Sequence, residues 1–254
     1  MTALHHEVAG RADASPLLLG GSLGASTAMW DPQVAALAER LRVIAFDHRG
    51  HGRSPTPEPP YALADLGHDV LELLDRLGLE RASYCGLSLG GMVGMWLAAQ
   101  APERIDRLVL VCTSAHMPPP SAWAERAAAV RAAGTVEAIA DGVVARWLTP
   151  PFAAEHPDVA ARLRAMLVAT PADGYGACCG AIEHMDLRED LAAITAPTLV
   201  IAAEDDPATP PEHARRIAEG ISGARLEVLH GAAHLANVER PEAVSRLILE
   251  HVTG

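Results

Sequence analysis

Gly86-Leu87-Ser88-Leu89-Gly90 sets one hydroxyl between two residues that have no side chain. A Gly-x-Ser-x-Gly pattern carries chemistry when it forms a sharp strand-to-helix turn. Such a turn lifts the serine Oγ off the sheet, and the flanking glycines let the backbones approach. The context fits, because the apolar run 82–85 predicts a strand and residues 90–101 predict a helix. The five-residue pattern alone also occurs in ordinary turns, so the reading depends on partners. A serine hydroxyl is a weak nucleophile unless a base takes its proton and an acid orients that base. Both residue types follow later in the chain. The apolar run 198–202 leads into Ala203-Glu204-Asp205-Asp206-Pro207, and the run 226–229 leads into His230-Gly231-Ala232-Ala233-His234.

These residues need a frame that brings them together. Short apolar runs at 17–19, 43–46, 82–85, 108–112, 198–202 and 226–229 suit strands buried on both faces. Helical patterns lie between them, such as 63–77, where Leu66, Val70, Leu73, Leu74 and Leu77 recur at helical spacing. The alternation predicts an α/β fold with a mostly parallel sheet and helices on both faces. The serine, the acidic turn and the histidines then all stand at carboxyl ends of parallel strands, the edge where such sheets bind ligands. From 114 to 194 helical patterns and proline breakers continue without a strand. The expected organisation is a core of 1–113 and 195–254 with a helical cap, 114–194, inserted between them.

Simpler roles compete for several of these residues. An acidic residue before a helix is commonly its cap, and any of Glu204, Asp205 and Asp206 could be one. His230, at a strand end, reads as solvent-facing. His51, within Asp47-His48-Arg49-Gly50-His51-Gly52-Arg53-Ser54, suits a self-bonded loop better than a second base.

Composition excludes other classes. Net charge is −12 and every one of the 20 basic residues is arginine, since the chain contains no lysine. That removes the P-loop lysine, the Schiff-base lysine and the lysine-rich nucleic-acid patch. Neither nucleic acid nor an anionic membrane is an expected partner. The first residues lack a signal-peptide pattern and no apolar run reaches ~18 residues, so a cytoplasmic location is expected. Cys85, Cys112, Cys178 and Cys179 have no metal-ligand spacing and read as core residues. No cofactor or metal is expected, and nothing in the sequence speaks to oligomeric state.

Taken over nearly its whole length, the chain resembles the α/β-hydrolases, and among them the 3-oxoadipate enol-lactonases of protocatechuate degradation. The resemblance runs through residues 47–54, Gly86-Leu87-Ser88-Leu89-Gly90-Gly91-Met92, Asp206-Pro207-Ala208-Thr209-Pro210 and His234-Leu235-Ala236-Asn237-Val238-Glu239. Two cap segments, Arg146-Trp147-Leu148-Thr149-Pro150 and Tyr175-Gly176-Ala177-Cys178-Cys179-Gly180-Ala181-Ile182, are similar to the lactonases in particular. The resemblance implies Ser88 as nucleophile, His234 as base and Asp206, four residues before Pro210, as orienting acid. It implies an oxyanion hole from the backbone N–H groups of Leu89 and Ser22. Gly20-Gly21 stands where the superfamily often has His-Gly, so that loop needs support from elsewhere. The implied reaction opens a small anionic lactone through an acyl-enzyme. An esterase or a carbon–carbon bond hydrolase is the alternative on the same scaffold, and a ligand receptor without turnover is a more distant one. Because the substrate is an anion and the protein is acidic, the pocket should contain a local cation. Arg146 is the candidate beside Trp147 as an apolar wall, from among Arg126, Arg131, Arg146, Arg162, Arg164 and Arg188.

Overall fold

The structure is a computed structural model and describes residues 2–254. Seven strands form one sheet in the order β1-β3-β2-β4-β5-β6-β7. They are β1 (His6–Ala9), β2 (Pro16–Gly20), β3 (Arg42–Phe46), β4 (Ala82–Leu87), β5 (Ile105–Val111), β6 (Thr198–Ala203) and β7 (Arg225–Leu229). All neighbours pair in parallel except β1, which runs antiparallel to β3. The six foreseen strands are all present. β4 and β6 are buried along their whole length, and that is why they read as unbroken apolar runs. β7 departs from the expectation of burial on both faces: it is an edge strand and only partly covered. β1 was not foreseen, because His-Glu-Val-Ala is short, half exposed and without an apolar run.

Strand order fixes where a site can form. From β2 the chain steps to β3 on one side, and β4 then pairs with β2 on the other. The carboxyl ends of β2 and β4 therefore flank the point where the order reverses, the usual ligand crevice of an open α/β sheet. Register sets Gly20 of β2 beside Gly86 of β4 at that point.

Helices cover both faces. α1 (Asp31–Ala38) and α11 (Pro241–Thr253) pack on each other, and α2 (Leu63–Arg76) packs on α3 (Leu89–Gln100). α2 buries Leu66, Val70, Leu73 and Leu74 on one stripe. Between β5 and β6 lie α4 (Pro120–Ala133), α5 (Glu137–Trp147), α6 (Pro150–Glu155), α7 (Pro157–Val168) and α8 (Ala172–Glu183). α4 packs on α8, and α5 on α7. This helical segment leaves and re-enters the core side by side, where His116 and Asp186 form an isolated bridge and the Leu187 N–H donates to the Ala115 carbonyl. α9 (Pro211–Gly220) follows β6, and the short α10 (Ala236–Glu239) precedes α11. Among the described residues no helix is long and apolar enough to cross a membrane, and no cluster of His, Cys, Asp and Glu could hold a metal ion. All four cysteines are buried and unpaired.

Candidate active site

Ser88 stands between the end of β4 and the first residue of α3, with φ 57° and ψ −115°. A non-glycine residue in this region is strained and is retained where the surroundings over-determine it. Here they do: the Ser88 N–H donates to the Val111 carbonyl, and the Ser88 carbonyl accepts from Met92 N–H and Thr113 Oγ1. The flanking glycines are required by contact. A Cβ on Gly86 would collide with the Gly90 carbonyl, and one on Gly90 would collide with the carbonyl of Gly20.

His234 arrives on the loop after β7 and Asp206 on the turn after β6. Asp206 Oδ2 lies 2.8 Å from His234 Nδ1 and also accepts from Thr209 Oγ1 at 2.8 Å. Its Oδ1 accepts the backbone N–H groups of Ala208 and Thr209. Burial pushes the Asp206 carboxyl up, but the charge and hydrogen bond of His234, with the Thr209 donors, outweigh it and leave the group below its ordinary range. An acceptor-only carboxylate at Nδ1 fixes that nitrogen as the N–H, which leaves Nε2 as the basic lone pair. Ser88 and His234 line one cavity. Among the described residues Ser88 Oγ makes no hydrogen bond, and a serine–histidine contact of this kind commonly tightens only around substrate.

The acidic turn separates its three carboxylates. Asp205 is exposed, and its N–H donates to the Ala232 carbonyl. Glu204 pairs at 2.9 Å with His230, whose side chain is largely exposed. Neither acid reaches His234.

Support for the Gly20–Gly24 loop comes from the 47–54 motif. His48 Nε2 donates to the Gly21 carbonyl at 3.2 Å, and the Gly24 N–H donates to His51 Nε2 at 2.9 Å while His51 Nδ1 faces the Arg49 carbonyl. Burial, with the neighbouring His51, lowers His48 to about 3, and burial lowers His51 to about 4, so both are neutral scaffolding rather than bases. The loop offers a different donor from the expected one. The Ser22 N–H is engaged by Met29 Sδ at 3.2 Å. The next amide, that of Leu23, and the Leu89 amide at the start of α3 make no hydrogen bond among the described residues. Ser22 and Leu23 both line the cavity.

Opposite Ser88 the cavity is closed by the helical segment. Trp147 is buried and Arg146 half-buried, and both reach the cavity because α5 ends at Trp147, with Leu148 already extended. Arg126 of α4 joins them, stacked over Trp123 at 4.7 Å. Among the described residues neither Arg126 nor Arg146 pairs with a carboxylate. Burial and the like charge of Arg126 both lower the Arg146 guanidinium. Burial raises the Tyr175 phenol nearby, with both arginines opposing. By contrast Arg164 pairs with Asp141 and Arg188 with Asp186, on the surface.

The residues 16–241 match the family model described as alpha/beta hydrolase fold. The chain belongs to the α/β-hydrolase family. This hydrolase is 39% identical over 246 residues to 3-oxoadipate enol-lactonase 2 of Acinetobacter baylyi, an alignment spanning 97% of this chain and 91% of the relative. It is 36% identical to the RutD protein of Variovorax paradoxus, whose name assigns it carbamate hydrolysis, over 97% of this chain and 95% of that one. The enol-lactonase crystal structure from Burkholderia xenovorans superposes with a TM-score of 0.97 at 40% identity, covering 100% of this chain and 97% of the other. This chain is an enzyme of the hydrolase class.

The hydrolase thus gathers Ser88, His234, Ser22, Trp147 and Arg146 around one cavity, with Asp206 behind the histidine and Leu89 beside the serine. Sequence reasoning gave no place there to Leu23, Met92, Met117, Trp123, Tyr175 or Ile182. Arg126 appeared only as one of six cap arginines. Its pairing with Arg146 has no spacing signature, because α4 and α5 bring together residues twenty positions apart. A larger groove of about 570 Å3 lies outside the acid and histidine loops and is lined by none of Ser88, Asp206 and His234.

Proposed function

We propose that this hydrolase opens 3-oxoadipate enol-lactone to 3-oxoadipate, a step of aromatic catabolism, with Ser88, His234 and Asp206 as its triad. The observation that carries the substrate class is the pair of guanidiniums in the cavity, Arg126 and Arg146, which pair with no carboxylate among the described residues. Two like charges in a partly desolvated site favour an anion between them, and arginine binds a carboxylate through a planar, permanently charged fork. Trp147, Met92, Met117 and Ile182 supply the apolar wall that a five-membered lactone ring needs. Similarity to named enol-lactonases over nearly the full chain supports the same reading.

Ser88 Oγ attacks the lactone carbonyl while His234 Nε2 takes its proton. The oxyanion accepts hydrogen bonds from the Leu89 N–H and from the Leu23 N–H, the amide at the Gly20–Gly24 turn that Met29 does not engage. One such donor lowers the barrier by roughly 3 to 4 kcal/mol in favourable cases. Collapse breaks the ring C–O bond and releases an enol still tethered to the acyl chain, with His234 returning the proton. Relaxation of the enol to a ketone opposes re-closure. Water activated by His234 then cleaves the acyl-enzyme and frees the second carboxylate. The helices α4 to α8 act as the cap that carries the anion subsite.

Similarity to RutD favours a carbamate as the competing substrate. Steady-state kinetics on the enol-lactone, its uncharged ester, a small carbamate and p-nitrophenyl acetate separate these readings. The proposal expects the highest kcat/KM on the anionic lactone. A carbamate or a neutral ester turned over faster would remove it.

A further inference from the structure

Glu239 ends α10 with its side chain buried, and among the described residues no cation neutralises it. Burying a carboxylate is expensive unless donors replace its water. Three do. Oε1 accepts the Thr149 N–H at 2.9 Å and Thr149 Oγ1 at 2.7 Å, and Oε2 accepts the Ala233 N–H at 2.5 Å.

The two oxygens serve different parts of the site. Ala233 is the residue before His234, so Oε2 holds the backbone that carries the proposed base. Thr149 opens α6, two residues after Trp147, so Oε1 holds the stretch that presents Arg146 and Trp147 to the cavity. Backbone bonds tie the same two strips, with the Leu235 N–H donating to the Trp147 carbonyl at 2.9 Å and the His234 N–H to the Arg146 carbonyl at 3.4 Å. The side chain of Asn237 extends the connection, since its Nδ2 donates to the Met29 carbonyl and to Gln33 Oε1. Met29 in turn engages the Ser22 amide of the oxyanion loop.

We infer that Glu239 is a positioning residue that holds the His234 strip in line with one carboxylate oxygen and seats the cap over the substrate with the other. A carboxylate is needed for this because both of its oxygens accept and neither donates. In Glu239→Gln one oxygen becomes an NH2. Whichever way the amide turns, that NH2 faces either the Ala233 N–H or the Thr149 N–H, so either the histidine strip or the cap strip is released. The inference rests on the triad proposed above but not on the identity of the substrate.

The test uses two reactions that differ in their need for the cap. Labelling of Ser88 by a small dialkyl fluorophosphate, located by peptide mass, reads the serine–histidine pair without the anion subsite. Hydrolysis of the anionic lactone reads both. Glu239→Gln is expected to lower kcat/KM on the anionic lactone about tenfold or more, the scale of one charge-assisted hydrogen bond, and to lower the labelling rate with it where the NH2 faces Ala233. Thr149→Val loses only the hydroxyl donor on the cap side. It is expected to raise KM for the anionic lactone severalfold with labelling within about twofold of wild type, and Thr149→Ser is expected to restore KM. The threonine pair keeps the test decisive if Glu239→Gln fails to fold. A Glu239→Gln enzyme with both wild-type labelling and wild-type kcat/KM, or a Thr149→Val enzyme with wild-type KM, overturns the inference. Wild-type protein that is not labelled at Ser88 would instead remove the triad reading beneath it.

Discussion

Replacing Asp206 by asparagine keeps shape and removes a charge, and the hydrogen bonds around it dictate which way the amide must sit. Oδ1 accepts two backbone N–H groups, from Ala208 at 2.8 Å and Thr209 at 3.0 Å. An NH2 there would face two donors and leave both unsatisfied, so the asparagine oxygen takes that place. The NH2 must then point at His234 Nδ1 and Thr209 Oγ1, which Oδ2 engages at 2.8 Å each. Facing a donor, Nδ1 becomes an acceptor and the proton moves to Nε2, the nitrogen that must receive the serine proton. Base catalysis fails although every heavy atom stays in place. Loss of the correct tautomer in a serine–histidine–aspartate site lowers kcat by about 10,000-fold, or roughly 5.5 kcal/mol of barrier. Asp205→Asn, at an exposed residue that does not contact His234, should stay within about twofold. Steady-state kinetics on both variants, with circular dichroism to show retained fold, make the comparison. A loss below tenfold in Asp206→Asn, or a larger loss in Asp205→Asn, would refute the tautomer argument.

Three further outcomes follow from the same geometry. Ser88→Ala should abolish turnover and leave the melting temperature nearly unchanged, since the turn is held by backbone bonds and by Thr113 rather than by the hydroxyl; residual kcat near the wild-type value would sink the mechanism. Stability should fall on acidification below about pH 6.5, because His48 and His51 are lowered to about 3 and about 4 in the fold and bind protons more readily unfolded. Each contributes stability that is fully present above 6.5 and lost at roughly 1.4 kcal/mol per pH unit as pH falls towards the folded value, read by urea unfolding at pH 7, 6 and 5; a flat profile would contradict neutral burial. Arg146→Ala and Arg126→Ala should each lower kcat/KM about 10- to 150-fold on the anionic lactone and far less on its uncharged ester. Equal losses on the two substrates would assign these arginines to packing of the helical segment instead.

What the sequence disclosed follows physical rules that can be seen residue by residue. β4 and β6 were legible because burial on both faces demands an unbroken apolar run. β1 was not, since an edge strand with half-exposed side chains imposes no such demand. Ser88 was legible through the two glycines that the turn requires. The choice among Glu204, Asp205 and Asp206 was not open to composition or spacing alone, because three adjacent acids look alike until the turn directs one inward and two outward. His48 and His51 read as loop residues. Their work on the Gly20–Gly24 loop depends on contacts made 27 residues away in sequence, as with His48 to Gly21 and His51 to Gly24. The engagement of Ser22 by Met29 is likewise tertiary, and it leaves the Leu23 amide as the loop's unengaged donor among the described residues.

The position of the two arginines bears on how a substrate would enter. The cavity at Ser88 measures about 40 Å3, room for a few waters and less than a six-carbon lactone occupies. Something must therefore yield. The end of α5 is pinned to the histidine strip by the Arg146 and Trp147 carbonyls and by Thr149 on Glu239. α4 packs chiefly on α8, within the helical segment itself. Widening is thus expected on the α4 side, which carries Arg126 and Trp123, with Arg146 staying beside His234. An anion held by both guanidiniums would draw the yielding wall towards the pinned one. Carboxylate binding energy would then be spent on closing the cavity around the lactone carbonyl, far from the carboxylate itself, which is how remote contacts raise kcat rather than merely lower KM.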